Sequence, residues 1–255
     1  MLRNISICSS TSSSSGSPRS KHAVRPVTLG FDHSRELSAE QAAEIQQQLA
    51  TRVVRQWSGS PVHLVAGADC AYSRDDTLCA AAAVLWDLQS REEVETVTVR
   101  SEIRFPYVPG LLAFREAPAV LRALERLNTR PQLLICDGHG IAHPRRFGLA
   151  SHVGVLTGIP TIGCAKRRLC GTFVEQNKIR GSSSPLIDHG EIIGMVIYTR
   201  SGVKPVFVSI GHRIDLPAAE RFVLACTPRY RLPEPLRLAH RRAAAALKHE
   251  LGDSE

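Results

Sequence analysis

Short apolar stretches, each bounded by polar or glycine-rich segments, alternate with amphipathic segments along most of the chain. Three stretches in the first half have the length and composition of strands, and they lie at residues 64–73, 80–88 and 93–103. The polar segment 74–77 predicts a hairpin between the first two. Alternating apolar positions in the third stretch predict one buried face. The first half therefore predicts an antiparallel ribbon of three strands.

The second half adds strands that are separated by helical patterns. Four further strands are predicted at 133–137, 160–165, 191–199 and 205–209. The last two form a predicted hairpin with Ser201-Gly202 at its turn, and a loop rich in Gly, Ser and Pro is predicted over 181–185. Ser38 and Gln41 have the spacing of a capping box at the start of the first helix. Helices are predicted at 38–57, 112–127, 147–158, 217–226 and 235–251.

This order of elements predicts the sheet topology. Each later strand that follows a helix joins the sheet in parallel by a right-handed crossover. Such a crossover can place the fourth strand beside the first, with Asp69 and Asp137 next to each other. The predicted fold is an α/β mixed sheet, three antiparallel strands followed by parallel strands, flanked by helices. This arrangement resembles the ribonuclease-H-like fold.

Composition and charge narrow the class of protein. A chain of 255 residues fits one large domain, or one domain with a tail, and its net charge of +8 favours a polyanionic partner. The seven cysteines include no CxxC pair, so neither a zinc knuckle nor a disulfide framework is indicated. Buried free thiols are typical of a reducing compartment, and no apolar stretch is as long as a membrane span. We therefore expect a soluble protein of the cytoplasm.

The first 27 residues differ from the rest of the chain. They contain nine serines, four Lys or Arg residues and no acid. An organelle transit peptide has this composition, but so do many short disordered tails, and we favour a disordered Ser-rich tail. The predicted domain organisation is a tail over 1–27 and a catalytic domain over 28–255.

Two acids occupy unusual positions in predicted strands. Asp69 interrupts an apolar strand, where a buried charge is costly unless it is paired or binds a metal, and its small neighbours leave room for a ligand. The alternative is a solvent-facing position on a half-buried strand. Asp137 ends the fourth strand before Gly138-His139-Gly140, an active-site position in open sheets, although it can also cap a turn.

Three further candidates are weaker when each is taken alone. Glu116 lies in a predicted helix, where a solvated acid usually pairs with an Arg. His240 is a metal ligand only if the last helix lies over the sheet end, and otherwise a surface histidine. Lys166 ends the fifth strand, where it can neutralise a phosphate or be one basic residue among many. Together with basic runs at 143–146 and 166–168, these residues indicate metal-assisted chemistry on a phosphodiester.

Several motifs, in order, are similar to one known family. They are VAGADCAY at 65–72, PYVPGLLAFRE at 106–116, DGHGIAHPRRFGLASHVGV at 137–155, IPTIGCAKRRLCG at 159–171 and RLPEPLRLAH at 231–240. From about Leu37 to Leu251 the chain resembles the endonuclease V family, whose members cut beside deaminated adenine (hypoxanthine) in nucleic acid. The N-terminal extension departs from the family pattern, and it leaves the location open.

The resemblance implies a role for each matched residue. Asp69 and Asp137 hold Mg²⁺, with Mn²⁺ as a substitute, and His240, the other implied metal residue, falls where the family places a His or Asp on its last helix. Glu116 completes the acidic site, and Lys166 lies near the scissile phosphate. The implied contacts to nucleic acid are a wedge of Pro106, Tyr107, Val108 and Pro109, a base pocket lined by Gly110, Leu112 and Gly138, and His143 in the basic run.

The implied activity is cleavage of the second phosphodiester 3′ to inosine, which leaves 3′-hydroxyl and 5′-phosphate ends and serves DNA repair. The expected partner is inosine-containing DNA, and we expect a monomer. RNA or single strands as substrate, and the number of metal ions, stay open at this point. The alternatives are another ribonuclease-H-like nuclease, such as a junction resolvase, and a non-catalytic nucleic-acid-binding protein. Three acids argue against the last, because acids beside a phosphate weaken binding unless a metal offsets them.

Overall fold

Eight strands and five helices make up residues 37–248, the part of the chain that this computed structural model describes. The strands are β1 (Leu64–Tyr72), β2 (Leu78–Asp87), β3 (Glu92–Glu102), β4 (Leu133–Cys136), β5 (Thr161–Ala165), β6 (Ser183–Asp188), β7 (Glu191–Ile197) and β8 (Val206–His212). The helices are α1 (Ala39–Ala50), α2 (Leu112–Glu125), α3 (Leu149–Thr157), α4 (Leu216–Ala225) and α5 (Glu234–Lys248). The predicted tail over 1–27 lies outside the described residues.

One mixed sheet contains all eight strands in the order β3-β2-β1-β4-β5-β8-β7-β6. The first three strands are antiparallel, and β4 and β5 join in parallel, so the predicted position of β4 beside β1 is confirmed. Strands β8, β7 and β6 then extend the other side of the sheet in antiparallel pairs. This is the ribonuclease-H-like arrangement that the order of elements predicts.

Helices cover both faces of the sheet. One face packs against α2 and α3, and the other packs against α4 and α5. The alanines at 80–83 in β2 are fully buried, because small side chains let helices approach from both sides. At Gly67 in β1 a Cβ atom would lie 2.2 Å from the backbone carbon of Pro235, so α5 begins directly against the strand. This close approach fixes where the rest of α5 lies.

Two predicted elements differ from the structure. Helix α1 ends at Ala50 rather than near residue 57, because the backbone beyond it bonds elsewhere: Val54 N–H donates to His212 Nδ1 at 3.3 Å, and the Val54 carbonyl accepts from Arg213 N at 2.6 Å. The capping box of Ser38 and Gln41 is confirmed. The prediction of a loop over 181–185 was wrong, since β6 begins at Ser183.

The reason for the second difference is the place of β6 in the sheet. It is an edge strand, the position in a sheet that tolerates a proline such as Pro185, and buried and exposed residues alternate along it despite its Ser and Pro content. The described part of the chain contains no helix long and apolar enough to cross a membrane. Its six cysteines are free thiols, and five of them are buried.

Candidate active site

Asp69 lies in β1 and Asp137 directly follows the neighbouring strand β4, at the same end of the sheet. The parallel register of β1 and β4 pairs Ala68 with Cys136, and Asp137 N–H donates to the Ala68 carbonyl at 3.1 Å, which continues the ladder past β4. Side chains alternate along a strand, so both carboxylates point to the face that α5 covers. The Asp69 side chain is 8% exposed and that of Asp137 16%.

His240 reaches this pair from α5. Its Nδ1 lies 2.7 Å from Asp69 Oδ2, and its side chain is 54% exposed. One ligand atom from each of Asp69, Asp137 and His240 lies within 4.8 Å of the others. Oxygen and nitrogen ligands bind divalent cations at about 2.0–2.6 Å, so atoms at this spacing can share one cation. The three residues therefore form a candidate metal site whose donor set suits a hard divalent ion.

Lys166 follows β5 and forms an ion pair with Asp137 Oδ2. Burial opposes the charged ammonium, but the hydrogen bond to Asp137 and its negative charge outweigh burial and raise the pKa of Lys166. The lysine therefore stays protonated, and it supplies one positive charge beside two carboxylates.

Glu116 approaches the same end of the sheet from the opposite face. It lies in α2, is 7% exposed, and its Oε1 accepts a hydrogen bond from the Tyr72 hydroxyl at 2.5 Å. Tyr72 is a partner that the sequence reasoning missed, because only the packing of α2 on β1 brings the two together. Glu116 lies outside the group of three possible ligands.

Two carboxyl groups of the site hold their protons more tightly than usual. Burial, followed by the charge of Asp137, raises the pKa of Asp69 to about 6. Burial raises the pKa of Glu116 to about 8, although the hydrogen bond from Tyr72 opposes this shift. A bound cation would relieve the repulsion among these acids, so the electrostatics of the site fit a divalent metal ion.

The segment at 106–110, here called the wedge loop, connects β3 to α2. Buried Phe105 and Leu111 anchor its two ends, whereas Tyr107 between them is 68% exposed. Leu111 N–H donates to the Val108 carbonyl at 2.9 Å. Gly110 has φ +79°, a left-handed backbone conformation that favours glycine. An exposed aromatic ring on a proline-stiffened turn can insert or stack without a large loss of entropy.

The other predicted contacts to nucleic acid, Leu112, Gly138 and His143, differ in their exposure to solvent. Leu112, the first residue of α2, is separated from the wedge loop by Leu111, and half-buried Gly138 follows Asp137. His143, in contrast, is only 3% exposed. Its Nδ1 accepts from Arg145 N–H at 3.1 Å, so its Nε2 carries the proton and donates to the Gly110 carbonyl at 2.9 Å. A direct contact with nucleic acid would require these bonds to break.

The electrostatics agree with that neutral tautomer. Burial, followed by the charge of Arg145, lowers the pKa of His143 to about 4, so the ring is uncharged at neutral pH. His143 therefore adds no positive charge to the surface.

The fold is that of a ribonuclease-H-like protein, and Asp69, Asp137 and His240 form a candidate active site that could hold a metal ion. The family model described as Endonuclease V matches residues 47–241, which is more than half of the chain. An endonuclease V from Roseiflexus sp. (strain RS-1) is 52% identical over 209 residues, covering 82% of this chain and 93% of that protein. The chain belongs to the endonuclease V family.

Solved structures agree with this assignment. The crystal structure of endonuclease V from Streptomyces avermitilis matches with a TM-score of 0.80 and 47% identity, covering 84% of this chain and 95% of that one. The crystal structure of Ciona intestinalis endonuclease V in complex with a 24mer DNA containing an inosine followed by a ribo-adenosine matches with a TM-score of 0.73 and 29% identity. That match covers 83% of this chain and 99% of the Ciona chain.

Proposed function

We propose that this protein is a metal-dependent endonuclease that recognises inosine in nucleic acid and cleaves the second phosphodiester bond 3′ to it. The products carry 3′-hydroxyl and 5′-phosphate ends, and the reaction serves DNA repair. The observation that carries the proposal is the convergence of Asp69, Asp137 and His240 within 4.8 Å in a chain of this family. The inosine-containing DNA bound by the Ciona relative supports inosine-containing DNA as the partner.

The metal is Mg²⁺, with Mn²⁺ as a substitute, and Asp69, Asp137 and His240 are its protein ligands. When bound, the ion supplies Lewis acidity that activates water for in-line attack and stabilises the leaving 3′ oxygen. Asp69 is held for this role by its bond from Cys70 N–H at 2.8 Å as well as by His240. The hydrogen bond from Tyr72 fixes the carboxyl of Glu116, which completes the acidic site from the other face of the sheet.

Lys166 neutralises the substrate phosphate. Its side chain is 36% exposed, so its ammonium can contact a phosphate oxygen while it stays near Asp137. Because the pKa of Lys166 is raised, its ammonium is charged at neutral pH. This charge orients the scissile phosphate and offsets the repulsion between the phosphate and the carboxylates.

The wedge loop recognises the altered base. Flipping a base costs a few kcal/mol and costs least where pairing is already weak, which favours a deaminated base. Tyr107 then stacks in the vacated space, and Gly110, Leu112 and Gly138 offer backbone groups to the base edge. Pro106 and Pro109 keep the loop around Val108 stiff. We place His143 in a supporting role beneath Gly110 rather than on the nucleic acid, because it is buried and internally bonded.

Matched inosine and adenosine oligonucleotides, each made as DNA and as RNA, test the proposal. With Mg²⁺ we expect the inosine strand to be cleaved at the second phosphodiester bond 3′ to the inosine. With a chelator we expect no cleavage. Equal cleavage of inosine and adenosine strands would contradict inosine recognition, and cleavage in the presence of chelator would contradict the metal. Comparison of the DNA and RNA oligonucleotides shows which of the two nucleic acids the enzyme cleaves better. The monomeric state and the cytoplasmic location stay predictions.

A further inference from the structure

Gln46 is a buried polar residue that belongs to no motif of the sequence. It lies in α1, is 1% exposed, and uses both sides of its amide. Nε2 donates to the Gly110 carbonyl at 3.1 Å and to the Phe147 carbonyl at 3.0 Å, and Oε1 accepts from Arg145 Nε at 2.5 Å. A buried amide with donors and acceptor all satisfied holds its partners in fixed relative positions.

The carbonyl of Gly110 is the point where these bonds meet. It accepts from Gln46 Nε2 at 3.1 Å, from His143 Nε2 at 2.9 Å and from Arg145 Nη2 at 2.7 Å. A carbonyl oxygen has two lone pairs, so three donors saturate it and leave no capacity for a ligand. The bonds therefore fix the position of the peptide rather than prepare it to bind substrate through this oxygen.

The fixed peptide lies at the junction between the wedge loop and α2. Gly110 has φ +79°, and a Cβ atom there would lie 2.9 Å from Arg145 Nη2, so the guanidinium packs directly against the turn. The N–H of the next residue, Leu111, donates to the Val108 carbonyl. The fixed position of the Gly110 peptide therefore also restrains the backbone of the wedge loop. The orientation of the turn that carries Tyr107 thus depends on side chains from α1 and from the segment after Asp137.

We infer that Gln46 is a positioning residue for base recognition, which acts through the Gly110 carbonyl to set the preference for inosine over adenosine and does not touch nucleic acid. The inference rests on the proposed function and extends it. Gln46 bonds to Gly110, Phe147 and Arg145, none of which belongs to the acidic site. Its loss therefore affects recognition and leaves the phosphodiester chemistry in place.

The central test replaces Gln46 by Met, which has similar length but no amide. Gln47 is exposed on the same helix, so Gln47→Met is a matched control with the same chemical change. We expect Gln46→Met to lose about tenfold or more of the inosine preference, since two donors to carbonyls are removed. The loss appears in KM for the inosine strand, whereas kcat at saturation and binding of an undamaged duplex in Ca²⁺ stay close to wild type. Gln47→Met keeps wild-type values.

Arg145→Met provides a second, independent variant, and it carries the test if Gln46→Met does not fold. If Arg145 contacts a phosphate, its loss would weaken the binding of inosine and adenosine strands equally. The ratio of activity on the two strands therefore isolates the role of Arg145 at Gly110. We expect Arg145→Met to lower the ratio as well, and the double variant to lose less than the product of the two single losses, because both act on one carbonyl.

Each outcome decides the matter. A wild-type preference ratio in Gln46→Met, or a fall in kcat with an unchanged KM, contradicts the inference. The same holds if Gln47→Met loses as much preference, or if the two single losses multiply fully in the double variant. A wild-type protein that does not distinguish inosine from adenosine contradicts the proposed function instead, and that result is obtained before any variant is compared.

Discussion

The acidic site and the wedge loop are built in opposite ways. In the acidic site the groups proposed to bind metal are side chains. The pairing of β1 with β4 determines the positions of Asp69 and Asp137. In the wedge loop the turn at Gly110 is positioned by hydrogen bonds from distant side chains, while Tyr107 extends into solvent. One region depends on charge at fixed points, and the other depends on the path of the backbone.

This difference teaches which kinds of change each region tolerates. A substitution that keeps shape but removes charge should inactivate the acidic site, because repulsion and metal binding both depend on charge. In the wedge loop a change of charge matters less than a change in the position of the turn. The two regions should therefore fail in distinguishable ways, the first in kcat and the second in KM and in substrate preference.

The largest expected effect is the loss of a ligand charge. Asp69→Asn or Asp137→Asn should reduce cleavage with Mg²⁺ to background, while Tm stays near that of the wild type because the shape is conserved. Binding to an inosine strand should persist, since a negative charge near the phosphate is removed. Gel-based cleavage and thermal unfolding measure the two effects. Near-normal cleavage by either variant would end the assignment of these two ligands.

A smaller effect is expected at His240, the third proposed ligand, whose side chain is about half exposed. A carboxylate also suits Mg²⁺, so His240→Asp should keep more activity than His240→Ala. Cleavage rates across a Mg²⁺ titration compare the two, and the Asp variant should saturate at the lower metal concentration. Equal and near-wild-type rates for both variants would return His240 to the helix surface.

The wedge loop should respond differently. Tyr107→Ala should weaken binding to inosine strands by about tenfold or more, because stacking of a base on an aromatic ring is worth roughly 1–3 kcal/mol. Binding of an undamaged duplex, which depends on contacts to phosphate, should barely change. Gel shifts in Ca²⁺ measure both, and saturating enzyme should recover the single-turnover rate. An equal loss for both duplexes, or no loss for either, would leave the segment as a simple turn.

The smallest expected effect concerns pH and stability in the acidic site. The folded pKa values of Asp69 and Glu116, about 6 and about 8, lie above their ordinary values of 3.8 and 4.5. Between the ordinary and the folded values the folded state binds more protons than the unfolded state, so metal-free stability falls as pH rises from about 4 to about 8. Mg²⁺ should therefore raise Tm more at pH 8.5 than at pH 5.5, by a few degrees.

Glu116→Gln is the matched variant for that measurement, since it keeps the shape of the side chain and removes the titration. Its metal-free Tm should depend less on pH than that of the wild type. Calorimetry at several pH values, with Mg²⁺ and with chelator, provides the data. An equal rise in Tm on addition of Mg²⁺ at both pH values would show that the cation does not relieve the repulsion among the acids.

The two regions also differ in how far the sequence predicts them. The apolar runs of β1 and β4 and the crossover rule are sufficient to place Asp69 beside Asp137, and the structure has them on adjacent strands. Edge strand β6 escapes prediction, because its two serines and its proline resemble a loop and only its pairing with β7 makes it a strand. Local composition predicts central strands well, because both of their faces are buried.

Long-range side-chain contacts are the part that no local pattern reveals. The bond from Tyr72 to Glu116 needs α2 to pack on β1, and the bond from Gln46 to Gly110 joins residues 64 positions apart. Gln46 stands in a run of three glutamines, so its residue type does not distinguish it from exposed Gln47. Only helical phase gives a hint, because Gln46 shares a face with buried Ala42 and Leu49.

The contact between Gly67 and the start of α5 sets a limit on how this protein can diverge or be redesigned. Backbone meets backbone there, so a single added methyl group would push the helix outward. The displaced helix carries His240, and the strand carries Asp69 two residues beyond the contact. The residue at position 67 thus controls the distance between His240 on α5 and Asp69 on β1 in the candidate metal site. A designer who wishes to change the metal preference can exchange His240 for another metal-binding side chain, as in His240→Asp, but has almost no freedom at position 67.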